Sequence, residues 1–308
     1  MSKVIKDIKQ IGKYSYTFGP FDKPIAEVKP GETIRIHTVD AFENKIRKPG
    51  DKISDLCNFP FVNPQTGPIA IKGAEKGDIL VVKIHRIDPT RDFVVTATIP
   101  YFGALTNTDK TVTLNDPLPE DIRFFPIESG YIHLFKDIKV PFHPFTGTIG
   151  VSPELEAISS LTPGYWGGNM DCPEMCPGNE IQFPVFVRDA HFFTGDVHAA
   201  QGEGEITGVA CEIPAVVTLT FDLVKRKKIS LPRIISDEEI MVVGSARPME
   251  DAARIAFGGL IEWMTESYGF TRLEAYHLLG QVGKIRIGNM VDPNYSVVAK
   301  CPKKYLSK

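Results

Sequence analysis

Between Phe192 and Glu212 the sequence reads FFTGDVHAAQGEGEITGVACE. That span gathers Asp196, His198, Gln201, Glu203, Glu205 and Glu212, and glycines at 195, 202, 204 and 208 interrupt it. Asp196 and His198 stand two apart, and residues two apart on a strand point to the same side. A carboxylate and an imidazole on one face can hold a divalent cation. Glu203 and Glu205 repeat the spacing. Four ionisable groups within ten residues repel one another unless they are solvated, paired or neutralised by a metal. The glycines let the backbone turn sharply or approach a ligand closely. The alternative is a solvated acidic loop in which His198 is incidental.

Three further stretches carry polar groups in turn-rich settings. PGYWGGNMDC, Pro163 to Cys172, places Asn169 and Asp171 behind a Gly-Gly step, as an open backbone site or as a turn capped by Asp171. VNPQTGPIAIKGAEKGD, Val62 to Asp78, reads as a fixed turn followed by a strand-leading turn with Glu75 and Asp78. HTVDAF sets His37 and Asp40 at a strand end, where an Asx turn is the competing reading. The five cysteines, Cys57, Cys172, Cys176, Cys211 and Cys301, are odd in number, which argues against a disulfide framework. Cys172 and Cys176 could share a zinc ion, but no second Cys/His pair at finger spacing completes four ligands. A thiol nucleophile at either one is a separate possibility. The sequence has no Gly-x-Gly-x-x-Gly opening a βαβ unit, no P-loop, no Gly-x-Ser-x-Gly elbow and no His-Glu-x-x-His. It also lacks the Gly/Ser-rich loop of the Ser-Ser-Lys amidases, so covalent serine catalysis has no support.

These residues need elements to position them. The chain has 308 residues, 43% hydrophobic and 24% charged, enough for one large globular domain or two ordinary ones. A net charge of −3 gives no general pull toward nucleic acid or an anionic membrane. The basic run Lys225–Lys228 reads as a solvated turn. No run reaches the ~18 apolar residues of a spanning helix. The N-terminal stretch lacks the apolar core of a signal peptide, so a cytoplasmic protein is expected. Short alternating or β-branched runs cover 32–39, 78–87, 93–99, 180–187, 215–224 and 239–246. With frequent Gly and Pro between them, they predict a mainly β, sandwich-like body. Two helices follow. Residues 249–269 keep Ala252, Ala256, Leu260 and Met264 on one face. Residues 271–283 open with a Thr271/Glu274 capping box and close at Gly283. The runs KIRIGNM and YSVVAKC then return to strand. The expected organisation is a β-sandwich-like body over 1–225, carrying most site motifs, and an α+β C-terminal region over 226–308.

GGNMD (Gly167–Asp171), TGDVHAAQGEGE (Thr194–Glu205), NPQTGPIAIKGAEKGD (Asn63–Asp78) and PFTGTIGVSP (Pro144–Pro153) together resemble the acetamidase/formamidase family. The stretch from EAYHLLGQVGKIRIGNMVDP to CPKKYL resembles its C-terminal region. The resemblance implies hydrolysis of short aliphatic amides, a divalent metal at the site, and a homo-oligomer. It implies Asp40, Asp171, Asp196 and His198 as ligands, Glu203 or Glu205 as the base, and Gln201 orienting water or amide. Zinc suits His198 better than calcium does. A β-sandwich module that binds calcium and a small ligand without turnover is the competing reading. Departures from the family pattern are Glu203 in place of Asp, Asp189-Ala190-His191 in place of Gly-Ala-Leu, the segment CPEMCPGNEI after Asp171, and a longer, more polar stretch over 47–59.

Overall fold

The computed structural model describes residues 6–105 and 117–306. Residues 1–5 of the stretch read for a signal peptide lie outside the described residues. The chain is mainly β with helices near its C-terminal end, as the patterning predicts. Among the described residues, no helix is long and apolar enough to cross a membrane.

Of four sheets among the described residues, two enclose the main core. The first has nine strands, in the order Lys6–Ile8, Thr33–His37, Ala215–Val224, Ile79–Pro89, Glu180–Pro184, Arg233–Ile235, Glu239–Ala246, Tyr295–Pro302 and Lys284–Ile287. Strands from both sides of residue 225 share it. The second has five, in the order Gly167–Asn169, Phe145–Val151, Phe192–His198, Gln65–Ile71 and Ala26–Val28. The main core lies between them, with Ile36, Leu80, Val82 and Phe221 facing Ile69, Ile149, Phe192 and Phe193. Phe192 and Phe221 meet edge to face at 4.9 Å, within the range aromatic pairs favour.

The two sheets differ in what their sequences reveal. Ala215–Val224 alternates buried and half-buried residues along most of its length, because one face packs on the core and the other is wetter. Gln65–Ile71, Phe145–Val151 and Phe192–His198 are buried throughout, since both faces of the smaller sheet are covered. Polar residues in those strands are therefore sealed in with the core.

The helix Met249–Tyr268 lies on Glu239–Ala246 and buries Ala252, Ala256, Leu260 and Met264, the stripe expected from the four-residue step. A Cβ at Gly244 would stand 2.3 Å from the Ala252 carbonyl oxygen, so glycine there allows the helix to seat. The helix Arg272–Val282 begins at the expected capping box. The Glu274 amide donates to Thr271 Oγ1, and Glu274 Oε2 accepts from the Thr271 amide. Lys225 Nζ and the Arg226 amide both donate to the buried Asp78 carboxylate, so the basic run folds as a turn pinned to the 75–78 turn.

Candidate active site

The polar residues of the smaller sheet converge at one end of its central strands. Phe145–Val151 and Phe192–His198 pair antiparallel with Thr146 opposite Val197 and Thr148 opposite Gly195. Gly147 and Asp196 fall between those pairs. Asp196 has a left-handed φ of 53° in the midst of a strand, a backbone conformation few non-glycine residues adopt. Its carboxylate still meets the ring two residues on, with His198 Nε2 3.4 Å from Asp196 Oδ1. The two meet through a local distortion, not through the regular pleat that the two-residue spacing implies. Asp171 and Glu205 are also left-handed, at φ 48° and 49°. Strain gathered at three acidic residues around one point is a feature of functional sites.

Glycine keeps the space open. A Cβ on Gly147 would stand 2.7 Å from His198 Cε1, 2.8 Å from Asp171 Oδ1 and 2.9 Å from the Asp196 carbonyl oxygen. Its φ is not in the left-handed region, so space is the constraint here, not backbone angle. The Phe145 ring closes one side of the cluster, edge-on to the His198 ring at 5.1 Å.

Asp171, Asp196 and His198 each offer a ligand atom, and these atoms lie within 4.8 Å of one another; His198, Glu205 and Glu212 do the same. All five residues are at most 7% exposed. Asn63 Nδ2 and Thr148 Oγ1 donate to Asp196 Oδ2 at 3.2 and 3.0 Å. Asn289 Nδ2 donates to Asp171 Oδ2 at 3.0 Å, and Asn169 Nδ2 donates to Asp292 Oδ2 at 2.7 Å. With the carboxylates ionised, Asp171 Oδ1, His198 Nε2 and Glu212 Oε2 are buried and lack a hydrogen-bond partner. Orphaned buried polar atoms are costly. The carboxylates and imidazole of either group form a donor set suited to a divalent cation.

The electrostatics express the same need. Burial, then the neighbouring Asp292 charge, pushes Asp171 well above the carboxylate range. Burial raises Glu205 and Glu212 as strongly, with the Asp171 charge next for Glu205 and the Asp196 charge next for Glu212. Asp292 is pushed up to about 7 by burial, against the hydrogen bond from Asn169. Burial opposes charge on both Asp196 and His198, but their mutual attraction outweighs it, lowering Asp196 and raising His198. Groups raised in this way are relieved by a proton or by a cation.

The other expected site residues are arranged differently. Asp40 is fully buried and belongs to neither candidate group. Arg91 Nη1 donates to its Oδ2 at 2.8 Å, and the Phe42 and Asn44 amides donate to Oδ1. Arg91 Nη2 also donates to the Glu212 carbonyl at 3.1 Å, so the pair braces the segment carrying Glu212. Glu203 is exposed and pairs with Arg286 at 2.9 Å, whereas Glu205, two residues on, is buried in the cluster. The Gln201 amide faces His198 Nδ1, the Asp171 carbonyl and the Gly288 carbonyl. Burial pushes the Cys172 thiol well above its usual range and Cys176 up to about 11. A thiol nucleophile acts as the thiolate, which this burial disfavours.

The sequence profile described as the Acetamidase/Formamidase family matches residues 17–163 and 154–307. The chain belongs to the acetamidase/formamidase family. It is 24% identical to the formamidase of Methylophilus methylotrophus, over 71% of this chain and 66% of that protein. It is 26% identical to the acetamidase of Mycolicibacterium smegmatis, over 65% of this chain and 63% of that protein. The chain thus spans slightly less than two thirds of the length of these curated relatives. Among solved structures, an acetamidase from Yersinia enterocolitica is 44% identical and superposes with a TM-score of 0.96, covering 99% of this chain and 94% of that one. An acetamidase from Bacillus halodurans is 29% identical, with a TM-score of 0.89 over 97% of this chain and 98% of that one.

Two segments expected from the sequence to depart from the family pattern meet beside the cluster. Glu174, in the segment after Asp171, and Glu203 both pair with Arg286, at 3.2 and 2.9 Å, and Glu174 also holds the buried Lys300. A third, Asp189-Ala190-His191, forms three consecutive left-handed residues leading into Phe192, at the strand end away from His198. Sequence reasoning gave no role to Glu212 or Asp292. Glu212 reaches the cluster through a backbone bridge to His198. Asp292 comes from the loop between the chain's last two strands, within the stretch KIRIGNMVDP that resembles the family's C-terminal region.

Proposed function

We propose that the protein hydrolyses the C–N bond of small linear amides of the formamide and acetamide type, releasing ammonia and a carboxylate, and that it does so with a divalent metal. Family membership supports the amide reaction. The observation that carries the metal is that Asp171, Asp196 and His198 bring ligand atoms within 4.8 Å of one another, with Asp171 Oδ1 and His198 Nε2 buried and unpartnered. Asp171, Asp196 and His198 would hold the ion, with zinc suiting an imidazole donor better than calcium. When bound, such an ion supplies Lewis-acid polarisation of a carbonyl and acidifies water.

The chain's own groups supply the rest. Glu205 is the base in this reading because it is buried beside the cluster, whereas Glu203 is exposed and tied to Arg286. Burial and the Asp171 charge raise the pKa of Glu205, which favours its holding a proton between taking it from water and passing it to a leaving nitrogen. Asn63, Thr148 and Asn289 orient the Asp196 and Asp171 carboxylates. Phe145 and the lack of a side chain at Gly147 let the His198 ring and the Asp171 carboxylate pack close to the strand Phe145–Val151.

Removal of metal with a chelator is expected to lower ammonia release from formamide, acetamide and propionamide by more than ~100-fold, since Lewis-acid stabilisation contributes several kcal/mol. Zn2+ should restore it. Equal turnover by the metal-free protein would sink the metal reading. Gly147→Ala gives a second check without touching a ligand. Its methyl group must displace His198 or Asp171, so bound Zn2+ per chain and turnover should both fall, while stability drops by about 1–3 kcal/mol, as overpacking typically costs. Wild-type metal content in the folded variant would show that Gly147 does not guard this space.

A further inference from the structure

We infer that Gln201 is a positioning residue that fixes the tautomer of His198, leaving Nε2 as the ring's free nitrogen, and anchors the Asp171 segment with the same amide. Gln201 Nε2 lies 2.9 Å from the Asp171 carbonyl oxygen and 2.9 Å from the Gly288 carbonyl oxygen. A primary amide nitrogen carries two N–H groups, and these two acceptors use both. A flipped amide would set its oxygen against two carbonyl oxygens, with no donor to accept from, so the contacts themselves assign the orientation. Gln201 Oε1 therefore faces His198 Nδ1, at 2.8 Å. An amide oxygen only accepts, so Nδ1 must carry the proton. In the neutral ring the lone pair is then on Nε2, which is buried, has no hydrogen-bond partner, and lies 3.4 Å from Asp196 Oδ1 and 3.3 Å from Glu212 Oε1. The edge-on Phe145 ring resists rotation of the imidazole.

Both carbonyls that hold Gln201 belong to segments that build the cluster. One is the backbone of Asp171 itself. The other precedes Asn289, whose Nδ2 orients the Asp171 carboxylate. One carboxamide thus links the loop after His198, the Asp171 segment and the loop between the last two strands. The inference concerns the proposed site but depends on the metal reading only for what Nε2 would bind. The tautomer follows from the hydrogen bonds alone.

The test uses the full-length protein labelled with 15N-histidine. In the metal-free wild type, at a pH where the ring is neutral, long-range 15N–1H correlation should show His198 protonated on Nδ1 with a pyridine-like Nε2. Gln201→Met, close in volume but with no amide, should populate the other tautomer and bind Cd2+ roughly 10–100-fold more weakly, the range for lost outer-shell support of a ligating histidine. Gln201→Glu keeps an acceptor for Nδ1–H but offers the two carbonyls no donor. It should restore the tautomer and only part of the Cd2+ affinity, an outcome that a merely space-filling residue would not give. A proton on Nε2 in the neutral wild type would overturn the inference, as would a Gln201→Met protein with unchanged tautomer and Cd2+ affinity. If Gln201→Met does not fold, the wild-type spectrum still decides the assignment. A wild type that shows the expected tautomer but takes up no Cd2+ would support the inference while counting against the metal reading.

Discussion

His198→Ala is expected to fold, to lose nearly all bound divalent metal, and to lose ammonia release with it. His198 Nε2 is the only nitrogen donor in either candidate group, and the two groups share it. Its removal leaves buried carboxylates that prefer to share protons over gathering a cation. The loss of turnover should exceed the ~10–100-fold typical of changes behind a metal ligand. Stability should suffer less than in a large core truncation, which costs about 2–5 kcal/mol. Asp196 loses the imidazole that favours its charge, but it can take up a proton in place of remaining as an unpaired buried anion. Metal per chain and ammonia release should be measured on the same preparation, with a urea titration as the fold control. Wild-type values for both metal and turnover would mean that His198 is a packed core histidine and that the cluster is not a metal site.

The fold and the candidate site were legible for different reasons. In the nine-stranded sheet, Ala215–Val224 stands out by alternation over one wetter face, and Glu239–Ala246, buried over most of its length, by its β-branched residues. The two C-terminal helices stand out because Ala252, Ala256, Leu260 and Met264 repeat regularly and Thr271/Glu274 cap a first turn. The smaller sheet gives no such signal. QTGPIAI, FTGTIGV and FFTGDVH are buried on both faces, so polarity and burial do not alternate along them. Yet the four motifs that carry the family resemblance fall on four of its five strands. The resemblance therefore found the part of the fold that periodicity could not, because that sheet's ends are where the polar residues converge.

Spacing carried the site only as far as local backbone does. Asp196 and His198 are close in sequence and meet in space, although through a left-handed residue that spacing does not reveal. Glu203 and Glu205 have the same spacing and part company, one to Arg286 and solvent, the other into the cluster, because Gly204 between them has φ 78°. Asp40 has the chemistry of a ligand, but Arg91, 51 positions away, holds its carboxylate. Asp292 lies 123 positions from Asn169, its hydrogen-bond partner, and no local pattern encodes such a contact.

The crowding of carboxyls sets an opposite pH dependence for the metal-free and metal-loaded protein. Asp292 has its pKa raised from 3.8 to about 7, and Asp171, Glu205 and Glu212 are raised as well, all by burial first. A carboxyl raised on folding keeps its proton in the native state after the unfolded chain has released it. The native state then binds more protons, and stability falls as pH rises. Each such group contributes fully below its ordinary pKa, and its contribution declines with a slope on the order of 1.4 kcal/mol per pH unit up to the folded value. For Asp292 that window runs from 3.8 to about 7. His198 is also raised and adds the same sign above its ordinary 6.5. Asp196 is lowered, so its contribution has the opposite sign but is lost only as pH falls below the ordinary carboxylate range. The urea midpoint of the metal-free protein should therefore fall between about pH 4 and pH 7. A cation competes with these same protons, so its affinity should rise with pH. Saturating Zn2+ at about 1,000 times its Kd would add roughly 4 kcal/mol, and the gap between the two curves should widen toward neutral pH. Parallel curves with and without Zn2+, or metal-free stability that climbs across the window, would refute the view that protons and a cation compete for one cluster.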